Sequence, residues 1–178
     1  MYQGVIMAGF GGQGIVSGGI MLAYTGMMDG LNVTFFPAYG AEMRGGTANC
    51  SVVVSSDPVA SPVVGSPDSV LIMNEPSLAK FEPMVKTGGR LFLNTSLVSS
   101  RPRREDIEIV EVAANEIAEE VGNIKCANMV MLGAFAGKTG AVKIETLKNN
   151  IKKVYPRAKD ALVEMNKKAV ERGAEAVA

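Results

Sequence analysis

The sequence predicts a doubly wound α/β fold, a mostly parallel sheet with helices on both of its faces. Two observations support this prediction. The apolar run Val5–Ala8 ends in a glycine-rich turn, and a long apolar stretch follows from Ile15 to Met28, as in a strand–turn–helix unit. A second apolar run, Ser69–Met73, is continuous rather than alternating, which is typical of parallel strands that are buried on both faces.

The other elements are predicted from the spacing of apolar residues between turn residues. Strands are expected at 3–8, 31–36, 48–55, 69–73, 90–94 and 107–112, the last of these at the side of the sheet. Helices are expected at 15–28, 74–84, 113–121, 129–136, 144–154 and 156–177, with Asn128 as the cap of helix 129–136. We expect residues 1–178 to form a single domain.

Composition narrows the function classes. The chain has 178 residues, of which 47% are apolar and 20% charged, so it can bury a core without disulfides or metals. Lys plus Arg and Asp plus Glu both total 18, so no overall charge favours nucleic acid or a membrane surface. Because no signal peptide and no membrane-spanning run are visible, a cytoplasmic location is expected.

The segment that precedes Asp29 carries no charged side chain. A helix on the outside of a sheet normally shows water a polar stripe, and residues 15–28 offer only Ser17, Thr25 and glycines at its polar positions. We therefore expect this helix to be covered on both sides. A subunit interface is favoured over a monomer core, because a chain of this size has no third layer to spare.

The glycine-rich turn has the spacing G-x-G-x-x-G at Gly9, Gly11 and Gly14. Such a turn lets backbone approach a ligand and directs the N–H groups at the helix start toward an anion. A dinucleotide site also needs an acidic residue at the end of the second strand, and Pro37-Ala38-Tyr39 supplies none. A packing or partner-facing turn is therefore favoured over NAD or FAD binding.

Two residue types are scarce. The chain has no His, and its only cysteines are Cys50 and Cys126. A cubane cluster takes four thiolates, so this chain cannot hold one alone. Cys50 is expected to be a small buried hydrophobe, since no base lies near it in sequence.

A second distinctive stretch, Phe36–Cys50, contains Tyr-Gly-x-Glu-Met-Arg-Gly-Gly. Paired with the G-x-G-G-Q-G turn, it resembles the gamma subunit of 2-oxoacid:ferredoxin oxidoreductases, from the first strand to about Tyr155. The residues of this stretch resemble the 2-oxoglutarate branch of the family more than the pyruvate branch. Ala41 stands where the family usually has Pro, which affects loop stiffness more than chemistry.

The resemblance implies a Rossmann-like, gamma-type domain within an enzyme that converts a 2-oxoacid and coenzyme A to acyl-CoA, carbon dioxide and reduced ferredoxin. Thiamine diphosphate, magnesium and iron–sulfur clusters would lie on companion alpha and beta subunits, with or without a delta subunit. Ferredoxin would be an indirect partner. The isolated chain would hold no cofactor and be inert.

No residue is predicted to be catalytic, and none to bind a metal. The resemblance implies that coenzyme A or a companion subunit is contacted by two groups of residues, Gly9, Gly11, Gly12, Gln13 and Gly14, and Tyr39, Glu42, Met43, Arg44, Gly45, Gly46 and Asn49. The guanidinium of Arg44 suits a phosphate or carboxylate, and Glu42 would position it. Both groups follow strands, so they should meet at the carboxyl edge of the sheet. A free-standing nucleotide-dependent dehydrogenase and a purely structural assembly subunit remain the alternatives.

Overall fold

A computed structural model describes residues 1–38 and 47–178. Within these residues, one six-stranded sheet has the order β2-β3-β1-β4-β5-β6. Its strands are β1 (Tyr2–Phe10), β2 (Asn32–Ala38), β3 (Thr47–Ser55), β4 (Ser69–Ile72), β5 (Arg90–Asn94) and β6 (Glu108–Val112). Strands β1, β4, β5 and β6 pair in parallel, while β3 is antiparallel to both β1 and β2. The predicted mostly parallel sheet is confirmed, as is the position of β6 at its side.

The described helices are α1 (Ile15–Met28), α2 (Glu75–Phe81), α3 (Ala114–Val121), α4 (Ala127–Thr139), α5 (Ile144–Val154) and α6 (Asp160–Glu175). Short 3₁₀ helices cover Glu82–Met84 and Ile124–Cys126. The predicted bounds of α1 and α5 are correct, but the last helix begins at Asp160 rather than at 156. None of the described helices is long and apolar enough to cross a membrane.

The predicted cap at Asn128 is wrong. Cys126 occupies the N-cap position of α4, and Asn128 lies inside the first turn of the helix, 5% exposed. The 3₁₀ helix at Ile124–Cys126 leads directly into α4, so the helical path starts before the residue that the sequence marks as a cap. The Asn128 side chain is thereby free to form a contact between two distant segments.

The two faces of the sheet are covered unequally. The larger core lies on the face that carries α1, α3, α4, α5 and α6, and includes Met7, Cys50, Phe92 and Phe135. The smaller core lies on the opposite face, where α2 and nearby loops cover Ile6, Val70, Ile72 and Leu91. Alternation along each strand sends side chains to the two cores in turn, which explains the continuous apolar runs of β1 and β4.

Helix α1 is only partly covered by its own chain. It packs against the sheet and against α5, but Ile20 (41%), Met27 (50%) and Met28 (46%) stay exposed. Asp29, just after α1, accepts hydrogen bonds from the Lys143 backbone N–H (2.7 Å) and the Thr146 hydroxyl (2.6 Å), at the start of α5. Helix α5 therefore covers part of α1, and the exposed part of the helix is apolar and uncharged. The subunit interface expected at this helix stays a prediction.

Candidate functional site

The site lies where β1 and β4 end side by side. The two strands are parallel neighbours, and the helices that follow them lie on opposite faces of the sheet, α1 on one and α2 on the other. The connections therefore diverge and open a crevice at the carboxyl edge, which is where ligands bind in sheets of this type. The Gly9–Gly14 turn forms one wall of this crevice.

Gly9 is needed for close packing at the end of β1. A Cβ atom at this position would lie 2.5 Å from Gln13 Oε1, 2.7 Å from Ile15 Cδ1 and 2.8 Å from Met73 Cβ. Gln13 closes the turn, because its Oε1 accepts a hydrogen bond from the Phe10 N–H (2.6 Å) and its Nε2 donates to the Met73 carbonyl (3.1 Å). The first glycine and the glutamine thus hold the turn against the end of β4.

Gly14 begins α1 in the left-handed conformation, with φ +73°. Its carbonyl accepts a hydrogen bond from Asn128 Nδ2 at 3.1 Å, so α1 and α4 are joined at their N-terminal ends. Within the part of the chain that the structure describes, the N–H groups of Gly11, Gly12 and Gly14 donate to no protein acceptor. These donors, together with the positive end of the α1 dipole, favour a negatively charged group in front of the turn.

A cavity of about 210 Å³ adjoins the turn, and its lining residues are Gly12, Gln13, Met73, Asn115, Ile124, Lys125 and Ala127. Lys125 is exposed and has no carboxylate within ion-pair distance among residues 1–38 and 47–178. It also borders a second cavity of about 240 Å³, which includes Ser17, Asn128 and Tyr155. The Lys125 ammonium and the Gly12 N–H, neither of which has a partner among the described residues, therefore line one cavity, an arrangement that suits phosphate or carboxylate.

Asn115 is fixed within this crevice by a chain of amides. Asn94, at the end of β5, donates from Nδ2 to Asn115 Oδ1 (2.9 Å) and accepts from the Ala114 N–H (3.1 Å). The start of α3 is thus tied to the carboxyl edge of the sheet. Lys125 and Asn115 were not predicted as site residues. The available signal was the polar turn Asn123–Lys125 before a fully apolar helix.

Of the predicted site residues, Gly9, Gly11, Gly12, Gln13 and Gly14 lie in one turn, of which Gly12 and Gln13 line the cavity. Asn49 lies on β3, paired with Ala8 of β1 on one side and Ala38 of β2 on the other. Tyr39, Glu42, Met43, Arg44, Gly45 and Gly46 lie outside the described residues. The strand ends that flank them can be placed, because Thr47 pairs with Phe10, next to the glycine turn. The expected meeting of the two stretches is therefore supported at the boundaries of the second stretch.

The sheet order bears on the dinucleotide alternative. In the usual dinucleotide fold, the second strand is the direct neighbour of the first, and the acid at its end reaches the ribose. Here β3 separates β2 from β1, so the end of β2 lies two strand spacings, about 10 Å, from the end of β1. The missing acid and this separation both argue against a free-standing NAD-dependent dehydrogenase.

The two thiols lie in the core rather than in the crevice. Burial raises the pKa of the Cys50 thiol to about 12, and burial also raises the pKa of Cys126. Cys50 lies beneath α1, with its Sγ 3.5 Å from the Ile15 carbonyl. The prediction that Cys50 is a small buried hydrophobe is confirmed. Among the described residues, no group of three or more His, Cys, Asp or Glu side chains could hold a metal ion.

Comparison with known proteins identifies the class. Residues 4–176 match the family model for pyruvate ferredoxin/flavodoxin oxidoreductase, so the chain belongs to this family. Over 98% of its length, the chain superposes on the gamma subunit of a keto/oxoacid ferredoxin oxidoreductase from Geobacter sulfurreducens, with a TM-score of 0.84 and 28% identity. That match also covers 98% of the Geobacter subunit. The predicted resemblance is therefore confirmed.

Two relatives differ in length and in name. A ketoisovalerate oxidoreductase subunit, VorA, from Methanothermobacter marburgensis is 38% identical over 96% of this chain, which spans only 36% of that protein. A 2-oxoglutarate synthase subunit, KorC, from the same organism is 34% identical, and the match covers 88% of each chain. The same module thus occurs both as a separate subunit and within a longer chain. The two relatives are named for different oxoacids.

Proposed function

We propose that this chain is the gamma-type subunit of a multi-subunit 2-oxoacid:ferredoxin oxidoreductase and that its carboxyl-edge crevice supports coenzyme A. The reaction would convert a 2-oxoacid and coenzyme A to acyl-CoA, carbon dioxide and reduced ferredoxin. The family match over residues 4–176 is the observation that carries the proposal. The preference for 2-oxoglutarate rests on the amino-acid sequence of the Tyr39–Gly46 stretch and remains a prediction.

The chain's own residues do not fit the redox cofactors of such an enzyme. Cys50 and Cys126 are buried in the core, and the pKa of Cys50, about 12, is far from that of a ligating thiolate. Thiamine diphosphate and iron–sulfur clusters would therefore lie on companion alpha and beta subunits. There the thiamine would supply carbanion stabilisation, and the clusters would take up electrons. We predict that the purified chain binds no iron, thiamine diphosphate or flavin, which elemental analysis and absorbance spectroscopy would test.

The role left to this chain is binding and orientation. Coenzyme A carries several phosphate oxygens, and the Gly12 N–H, which has no acceptor among the described residues, offers a matching donor beside the Lys125 ammonium in the same cavity. Gln13 has both of its amide ends engaged within the chain, so it would hold the turn in place rather than bind substrate. Arg44 would add a bidentate contact from the neighbouring stretch.

Lys125→Gln tests this role in the reconstituted enzyme. Loss of one charged hydrogen bond to a phosphate should weaken binding by about 1.5–3 kcal/mol, so the KM for coenzyme A should rise at least ten-fold. The matched control is Lys153→Gln, an exposed lysine on α5 that lies outside the crevice. An unchanged KM for coenzyme A in Lys125→Gln, with assembly intact, would show that Lys125 and its crevice do not bind coenzyme A.

A further inference from the structure

Part of the smaller-core face of the sheet is not covered by a helix. Helix α2 lies against β4 and β1, and the face continues beyond it across β3 and β2. Two aromatic side chains at the carboxyl end of this face are exposed, Phe10 (39%) and Phe36 (47%). A sheet with a parallel core is normally covered on both faces, so this region lacks its second layer within the part of the chain that the structure describes.

The strand register shows which residues share this face. Phe36 pairs with Ser51, which pairs with the buried Ile6 of the smaller core, so all three point to the same side. By the same alternation, the other exposed or half-buried positions at this end of the face are Phe10, Ala38, Thr47 and Asn49. We call these positions, with Phe36 and Ser51, the open sheet face.

None of these positions carries a charged side chain. The solvent-facing side of a sheet usually carries charged and strongly polar side chains. Aromatic residues with uncharged polar neighbours and depletion of charge are instead typical of the centre of a protein interface. The composition of the open sheet face therefore indicates a protein partner rather than solvent.

Two occupants fit such a surface: a second copy of this chain, or a larger companion. The open sheet face spans about five residues on each of three strands, or about 240 Å² from the strand rise and spacing. Stable complexes of standard size bury about 800 Å² on each partner. Two copies that meet through this face alone would bury only about a third of that amount, whereas a larger partner can also contact residues beyond the face.

The length of the relatives indicates which larger partner to expect. In the M. marburgensis ketoisovalerate protein, the region that matches this chain makes up 36% of the polypeptide, so the remainder is joined to it covalently. In the KorC relative, the matched protein has a length similar to that of this chain. A module that occurs both fused and separate must hold its neighbour by a non-covalent contact when it is separate.

We infer that the open sheet face docks onto the companion subunit that corresponds to the remaining part of the ketoisovalerate protein. This inference rests on the proposed function, since it takes the companion from the same enzyme. The partner surface would be uncharged and apolar at its centre, with Phe36 as the main anchor, because aromatic anchors near the centre of an interface contribute most to affinity.

The test measures binding of this chain to that companion by titration calorimetry, with light scattering to count the chains in the complex. Phe36→Glu should raise the Kd by about ten-fold or more, because it buries a charge in an apolar contact. The matched control is Leu97→Glu, which introduces the same charge at a side chain of similar exposure (45%) outside the face. Leu97→Glu should leave the Kd within about two-fold, as expected for a residue outside the contact.

Three results would overturn the inference, and they are distinguishable. Equal binding by Phe36→Glu and the unsubstituted chain, with circular dichroism showing both folded, would place the contact elsewhere. A homodimer of the unsubstituted chain that Phe36→Glu dissociates would assign the face to a second copy. Failure of the unsubstituted chain to bind the companion would contradict the proposed function itself, and the docking surface with it.

Discussion

Replacement of Gly14 by Ala tests whether the glycine turn depends on the geometry described above. Gly14 has φ +73°, and a Cβ atom there would lie 2.5 Å from Asn128 Nδ2. The left-handed backbone alone costs a residue with a side chain about 1–2 kcal/mol. Displacement of the buried Asn128 amide from the Gly14 carbonyl should add about 1–3 kcal/mol. We therefore expect Gly14→Ala to lower the free energy of unfolding by about 2–5 kcal/mol.

Gly12→Ala is the matched control. Gly12 has φ +93°, but apart from its chain neighbours no atom of residues 1–38 and 47–178 lies within 4 Å of the position that its Cβ would take. This variant should lose only the backbone term, about 1–2 kcal/mol, in urea-induced unfolding followed by circular dichroism. Asn128→Ala in both backgrounds completes a double-mutant cycle, and a coupling energy of about 1 kcal/mol or more is expected. If Gly14→Ala costs no more than Gly12→Ala, the link between α1 and α4 contributes nothing.

Four further predictions concern stability, thiol reactivity, the pH dependence of stability and substrate binding. Asp29→Ala should lower the free energy of unfolding by about 1–2 kcal/mol, because it removes two hydrogen bonds to the start of α5. The control Glu105→Ala, on an exposed loop, should change it by less than about 0.5 kcal/mol in the same urea-induced unfolding measurement. Cys50 should resist alkylation of the folded protein at pH 8, because its thiol pKa is about 12, and rapid labelling would contradict its burial. Since that pKa is raised on folding, stability from the neutral thiol should be lost as pH rises above about 9, and Cys50→Ala should lack this part of the pH dependence. Arg44→Lys should raise the KM for coenzyme A or oxoacid by the equivalent of about 1–3 kcal/mol. Unchanged kinetics in an intact complex would show that Arg44 does not bind either substrate.

The sequence predicts local structure well where one segment determines its own environment. The run Val5–Ala8 and the turn to Gly14 place β1, the first helix and the carboxyl-edge site, and Ser69–Met73 places its neighbour β4. In each case apolar periodicity and glycine spacing are local properties of the chain. The burial of Cys50 follows in the same way from alternation along its strand.

Features that depend on residues far apart in sequence were not predicted. The packing of α5 against α1 joins Asp29 to Thr146 across most of the chain, and the charge-free sequence of α1 does not show which part of the helix its own chain covers. Asn128 resembles a helix cap in sequence, but its side-chain amide donates a hydrogen bond to the Gly14 carbonyl, more than a hundred residues away. Lys125 enters the site only because the 3₁₀ turn before α4 ends beside the glycine turn. The open sheet face depends on which strands α2 fails to cover, which is a property of topology.

The central claim is that this chain completes the coenzyme A-dependent activity of a 2-oxoacid:ferredoxin oxidoreductase. The most direct measurement is oxoacid-dependent reduction of ferredoxin by the companion subunits, with and without this chain, over a range of coenzyme A concentrations. We predict that full activity requires this chain and that Lys125→Gln restores it only at raised coenzyme A concentrations, whereas Lys153→Gln behaves like the unsubstituted chain. Full activity of the companion subunits without this chain, with the same KM for coenzyme A, would contradict the claim.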